Sequence, residues 1–154
     1  MMLNKINQEE NLKTFGQIIR LLRVRNNYAL RDLAHKAHLS HTYLNKIENG
    51  EVTISQSIYD NICAVFDLKL KHDPNLDEKF LNYRNQIYIY IINIGEKTVR
   101  HLMEELEENE VYYASSLLMI DYYLIKIAVY NHLVYKDVLT ITPLIIAFDK
   151  VAPL

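Results

Sequence analysis

Apolar residues in the first half of the chain recur at helical spacing, not at the two-residue period of a strand. Phe15, Ile18, Ile19 and Leu22 stand at i, i+3, i+4 and i+7, the stripe of an amphipathic helix. Thr14 with Gln17 matches a capping box, which predicts a helix start at Thr14 and leaves residues 1–13 as a polar arm. Asn26-Asn27 ends this helix. A second, short helix is expected over Leu30 to Ala37, turning Leu33, Ala34 and Ala37 inward with Leu30; Ala34 is small where two helices must cross. Ser40 suits the N-cap of a third helix, residues 40–49, with Leu44 and Ile47 inward. Gly50 stands where a left-handed C-cap residue is wanted. A fourth helix is expected from Ser55 or Ser57, burying Ile58, Ile62, Val65 and Phe66.

Asp73-Pro74 breaks the pattern and predicts a boundary. The expected organisation is an arm over 1–13, one domain over 14–72 and a second over 75–154. In the latter, Leu76, Phe80, Tyr83, Ile87, Tyr90 and Ile94 make a heptad-like seam. Val99, Leu102, Met103 and Leu106 predict another helix. A third, near Tyr112 to Tyr135, is apolar almost all round and is expected to be central. Thr142-Pro143 reads as an N-cap with Pro at the first helical position, opening a last helix. That helix either docks back on the bundle or leads into a longer chain. No β pattern competes, so the expected fold is all-α: a compact N-terminal bundle followed by a C-terminal bundle of helical hairpins.

Composition narrows this further. Of 154 residues, 50% are hydrophobic, enough for a real core, and three Gly and three Pro argue against long disorder. Cys63, the single cysteine, forbids an internal disulfide and fits a reducing compartment. The N-terminus lacks the apolar core of a signal peptide, and no run suits a membrane span, so a cytoplasmic protein is expected. The net charge of −2 splits unevenly: residues 1–74 carry +2 and residues 75–154 carry −4. Only the first half is suited to meet a polyanion.

The chemistry-bearing residues concentrate on the third helix. Thr42, Asn45, Lys46 and Asn49 fall at i, i+3, i+4 and i+7, a polar stripe beside the apolar one. A short helix with one apolar face and one face of hydrogen-bonding groups suits the floor of a DNA major groove. Competing chemistry is weak. His35, His38 and His41 straddle a turn with no cysteine near, so no metal site is expected. No nucleophile–base pair, phosphate loop or cofactor motif occurs, and no enzymatic activity is expected. The acidic run Glu104 to Glu110 reads as a solvated helix end, and Cys63 as a buried inert thiol. Nine of the twelve tyrosines follow residue 75; they either pack the core or line a groove for a peptide or small molecule. Asp121, Lys126 and His132, in a greasy helix, need partners.

The segment Phe15 to Leu68 resembles the Xre/Cro family of helix-turn-helix regulators. Its motifs are Ile19-Arg-Leu-Leu-Arg, Leu33-Ala34, Leu39-Ser40 and Ile47-Glu-Asn-Gly, in order and at family spacing. The resemblance implies a lambda-repressor-like helix-turn-helix bundle that binds operator DNA as a homodimer. It places His41, Thr42 and Lys46 at base edges with Asn45 beside them, and Ser40 at the cap near the DNA. It also matches Arg23 and Glu48 to a structural ion pair. Ala29 and Leu30 depart from the family's Ser/Thr-Gln helix start; Arg31 is the replacement phosphate contact expected from the next position. The loop after residue 50 carries Glu51 in place of basic residues. The Tyr-rich second half resembles the start of Rgg/PlcR/PrgX-type peptide-pheromone regulators, although no 34-residue repeat is legible.

The function expected from these readings is a sequence-specific, dimeric transcriptional regulator of double-stranded DNA, without cofactor and not membrane-bound. A peptide or small-molecule effector would act through the second half. The alternative is a protein- or peptide-binding module whose helix-turn-helix has lost its DNA contacts.

Overall fold

The structure, a computed structural model, describes residues 2–92 and 96–134. Among these the chain is all-α. It divides into two compact units, the first ending at Lys71 and the second beginning at His72.

The first unit contains α1 (Met2–Ile6), α2 (Glu9–Arg25), α3 (Leu30–Lys36), α4 (His41–Glu48) and α5 (Gln56–Val65). The stripe Phe15, Ile18, Ile19 and Leu22 is buried, and Leu33, Ala34, Ala37, Leu44, Ile47 and Ile62 close the core around it. Leu30, Ile58, Val65 and Phe66 are half-buried rather than internal.

Residues 2–13 do not form the polar arm expected over 1–13. Ile6 is fully buried, and the Asn7 side chain pairs with both backbone groups of Ile54, donating to its carbonyl at 2.9 Å and accepting from its N–H at 3.0 Å. Thr14 and Gln17 do not cap a helix start; they lie inside α2, whose N-cap is Gln8. A single apolar anchor is too little periodicity to read, and so short a helix exists through tertiary packing, not propensity.

Four helices of this unit end in the same way. Asn27, His38, Gly50 and Asp67 have φ of 55°, 58°, 71° and 48°. In each case the next residue's N–H returns to a carbonyl five positions earlier: Tyr28 to Arg23, Leu39 to Ala34, Glu51 to Lys46 and Leu68 to Cys63, at 2.8–3.0 Å. This is the Schellman motif, whose left-handed residue favours glycine, yet only Gly50 is one. His38→Gly is therefore expected to raise stability by about 0.5–1 kcal/mol, relief of the left-handed strain outweighing the greater freedom of glycine in the unfolded chain. Urea unfolding checks this, and a lower midpoint would show that the imidazole makes a compensating interaction.

The second unit contains α6 (Pro74–Ile92), α7 (Glu96–Glu107), α8 (Glu110–Tyr113) and α9 (Met119–Val134). Pro74 does not merely break the chain; it is the first residue of α6, where a missing N–H costs nothing. The Asp73 carboxylate caps that helix by accepting from the N–H groups of Asn75 (2.9 Å) and Leu76 (3.4 Å). Lys79, near the start of α6, reaches Glu105, near the end of α7, at 3.1 Å, so the two run antiparallel. The α7 stripe Val99, Leu102, Met103 and Leu106 is buried. The seam on α6 is shallower than a heptad pattern implies: Phe80 and Ile87 are buried, Leu76 and Tyr83 half-buried, and Tyr90 exposed. Ile94 and the helix expected from Thr142-Pro143 lie outside the described residues.

The single apolar helix expected near Tyr112 to Tyr135 is broken. The Ser115 hydroxyl donates to the Val111 carbonyl at 2.6 Å and the Ser116 hydroxyl to that of Tyr113 at 3.0 Å, while Ser116 Oγ accepts from the Leu118 N–H at 3.1 Å. Serine hydroxyls that compete for backbone groups stop one helix and start the next. Tyrosines fill the space beside this break. Tyr113 and Tyr122 are fully buried, in a run of ring contacts from Phe80 through Tyr113 to Tyr122 at 5.2 and 5.5 Å. The Tyr112 hydroxyl accepts from the Asp73 N–H at 2.7 Å and donates to Asp77 at 2.6 Å. Burial, then that bond to Asp77, pushes its pKa up.

The acidic run is exposed at Glu104, Glu107 and Glu108, as a solvated helix end implies, yet three of its glutamates are paired. Glu105 holds Lys79, while Glu107 and Glu110 hold Lys126 at 3.2 and 3.0 Å. Asp121 is paired with Arg84 at 2.9 Å. His132 has a buried Nε2 with no hydrogen-bond partner among the described residues.

Candidate nucleic-acid interface

The placement of α4 begins with its ends. Ser40 is its N-cap, the hydroxyl accepting from the Tyr43 N–H at 3.2 Å. Gly50 closes the other end with the Schellman geometry described above. Between them Leu44 and Ile47 are fully buried or nearly so. An eight-residue helix anchored on two adjacent apolar positions has one rotation about its axis. That rotation leaves Ser40, His41, Thr42, Asn45, Lys46 and Asn49 exposed, and Arg31 is exposed on α3. His41, Thr42, Asn45 and Lys46 have helical spacing and share one surface.

Two of the candidate residues are partly occupied within the chain. The Ser40 hydroxyl serves the cap. The Asn49 amide donates to Glu51 at 3.1 Å. That leaves His41, Thr42, Asn45 and Lys46 on α4, with Arg31 on α3, as the candidates whose side chains make no hydrogen bond among the described residues.

The end of α4 is held to α2 by charge. Arg23 donates through Nε and Nη2 to the two carboxylate oxygens of Glu48, at 2.7 and 3.0 Å, and through Nη1 to the Tyr28 carbonyl at 3.2 Å. Glu48 is 5% exposed. The bidentate fork fixes both partners' orientation as well as their separation. The hydrogen bond to Glu48 drives the guanidinium pKa up against the opposing effect of burial.

A glycine completes the joint between α2 and α4. A Cβ on Gly16 would fall 2.6 Å from the Glu48 carbonyl oxygen and closer still to that of Ile47. The backbone of α2 therefore lies directly against the last turn of α4. Gly16 escapes a sequence reading because a glycine inside a helical stripe carries no apolar signal; its fourth-place spacing from Leu12 and Arg20 gives nothing away. Asn7 was equally hidden. It grips Ile54 in the loop after α4, which Tyr43 also holds by donating to the Thr53 carbonyl at 3.3 Å.

The electrostatics of the surface are mixed. Ala29, at the N-cap of α3, has no side-chain oxygen, but the Asp32 carboxylate accepts from its N–H at 3.0 Å. This is half of a capping box, and it puts a negative charge at a helix start that otherwise attracts phosphate. Glu51 adds a second acid near the end of α4. Lys36 is turned over the Tyr28 ring, 5.1 Å from its centroid.

Among the described residues no three His, Cys, Asp or Glu side chains are placed to hold a metal ion, so His35, His38 and His41 do not converge. Cys63 is buried, and burial pushes its thiol up to about 11. No helix among the described residues is long and apolar enough to cross a membrane.

A family model described as helix-turn-helix matches residues 19–72. The first unit thus holds a helix-turn-helix domain, an architecture of DNA-binding regulators, and α3, α4 and α5 lie wholly within the matched residues. No curated protein and no solved structure matches the chain. The family match ends at the start of the second unit.

Proposed function

We propose that this protein is a cytoplasmic transcriptional regulator of the Xre/Cro type that reads operator DNA with α4. The observation that supports it best is the exposed row His41, Thr42, Asn45 and Lys46 on a helix whose rotation is set by Leu44, Ile47 and the Arg23–Glu48 fork. A good bidentate base contact contributes about 1–3 kcal/mol of discrimination. Lys46 is the cation of the row, and Arg31 on α3 supplies the nearest phosphate contact. So few cations give a shallow salt dependence, roughly one unit of log–log slope for each phosphate neutralised. One helix of eight residues reads few base pairs, so the regulator acts as a dimer on half-sites about 34 Å apart. The second unit supplies the dimer contact or an effector site.

The test is selection of the full chain on a random duplex library at two salt concentrations, repeated with Thr42→Ala and Lys46→Ala combined. The expected result is an enriched paired half-site, lost in the double variant, which retains wild-type helicity and thermal stability. Enrichment unchanged by the two substitutions would refute readout by α4.

A second reading follows from Asp32 and Glu51, which place acids at the start of α3 and beside the end of α4. In it the first unit is a protein- or peptide-binding module with no DNA affinity near physiological salt. Failure of a folded protein to enrich any duplex would favour it.

A further inference from the structure

The outer side of α6 is apolar where it meets α9. Leu81 and Tyr88 stand one helical turn either side of Arg84 and are 41% and 44% exposed. Arg84 Nη1 donates to Asp121 Oδ2 of α9 at 2.9 Å, which ties the two helices at this level. Leu124, one turn beyond Asp121, is 52% exposed. Three large apolar side chains thus flank one ion pair, and apolar groups clustered on a surface mark a contact.

The ion pair itself is only partly used. The Arg84 side chain is 30% exposed and that of Asp121 45%, and neither makes a further hydrogen bond or ion pair among the described residues. The guanidinium has more N–H groups to donate, and the carboxylate has a second oxygen. A cation and an anion side by side on one surface are complementary to their own copy. A two-fold axis between them sets Arg84 of each copy against Asp121 of the other. Residues 80–89 of α6 carry no charge besides Arg84, so no like charges are forced together beside that axis. The outer face of α7 is unlike this: Glu104 and Glu108 are exposed there and would meet their own copies.

We propose that this face of α6 and α9 binds a second copy of the chain. Leu81, Tyr88 and Leu124 pack against the same patch of the other copy, and the two Arg84–Asp121 pairs join into a ring of four alternating charges. An apolar centre with a tyrosine and an arginine has the composition of an interface core. The proposal rests on the dimeric reading above and gives that dimer its surface; it does not depend on DNA binding by the first unit.

The test is sedimentation of the full chain without DNA, over a range of concentrations. The wild type is expected to run as a dimer. Leu124→Glu and Tyr88→Glu, at exposed positions, are expected to keep wild-type helicity and each to weaken the dimer at least about tenfold, as loss of a central contact does. Tyr90→Glu, two residues on from Tyr88 and so on another side of α6, is the control and leaves the dimer unchanged. Arg84→Glu and Asp121→Lys each set like charges across the axis, and each alone is expected to run as a monomer. Mixed in equal amounts the two are expected to pair, which no effect on the fold of a single chain would produce. A dimer unmoved by Leu124→Glu, or charge variants that stay monomeric when mixed, overturns this surface and leaves the dimeric reading standing. A monomeric wild type overturns both, while readout by α4 is judged separately through Thr42 and Lys46.

Discussion

Replacing Arg23 with alanine is expected to destabilise the helix-turn-helix domain by about 3 kcal/mol or more, the cost of breaking a buried pair by removing one partner. The Glu48 side chain is 3% exposed and that of Arg23 15%, so the orphaned carboxylate has little water to turn to. The Tyr28 carbonyl loses its guanidinium donor in the same step. Removing both charges behaves differently: Arg23→Leu with Glu48→Leu is expected to recover most of the loss, because two apolar groups need no mutual solvation. Urea denaturation of the wild type, both single variants and the double variant gives the coupling energy. A single-variant cost below about 1 kcal/mol would put the pair in the class of screened surface bridges. Helix α4 would then be held by burial of Leu44 and Ile47 and by its backbone contact with α2 at Gly16.

Gly16→Ala is expected to lower stability by about 2–3 kcal/mol, with overpacking against backbone outweighing the roughly 1 kcal/mol that alanine gains over glycine inside a helix. The contact partners are the carbonyls of Ile47 and Glu48, which cannot rotate away as a side chain would. In a unit of this size the melting temperature should fall by roughly 10 °C or more. Gln17→Ala, exposed on the same helix, is the control and should leave it nearly unchanged. An unaltered melting temperature for Gly16→Ala would mean that α2 and α4 separate at no cost. DNA binding is expected to suffer even in whatever fraction remains folded, since the displaced element is the one that carries His41 to Lys46.

Both predictions concern the same joint, and the sequence reveals its two halves unequally. Arg23 and Glu48 are legible because charged residues at fixed places in a helix-turn-helix pattern match a known pair. Gly16 is silent: what it contributes is the absence of a side chain, which no periodicity registers. The helix ends show the same division. Gly50 announces a left-handed position by its identity, and Asn27 weakly so. Asp67, like Asn27, gives only a weak signal by its type, while His38 adopts that conformation because the following helix must leave in a set direction, which residue type does not reveal. At the N-terminus a polar composition conceals a folded element, since burial of Ile6 and the Asn7–Ile54 pairing outweigh the low propensity of a five-residue helix.

Local repetition was enough to determine that the described residues are helical, which residues face inward on α2, α4, α7 and, Leu30 apart, α3, and which face of α4 carries the hydrogen-bonding side chains. These follow from a 3.6-residue period and from caps, both properties of neighbours in the chain. Tertiary structure alone decided that residues 2–8 belong to the first unit, and that Ser115 and Ser116 divide the apolar run into α8 and α9. It also made Glu105 and Glu107 of α7 and Glu110 of α8 partners for Lys79 and Lys126. Each of these rests on a contact between residues distant in sequence, or on a hydroxyl choosing among nearby carbonyls, and its free energy depends on the geometry of both partners.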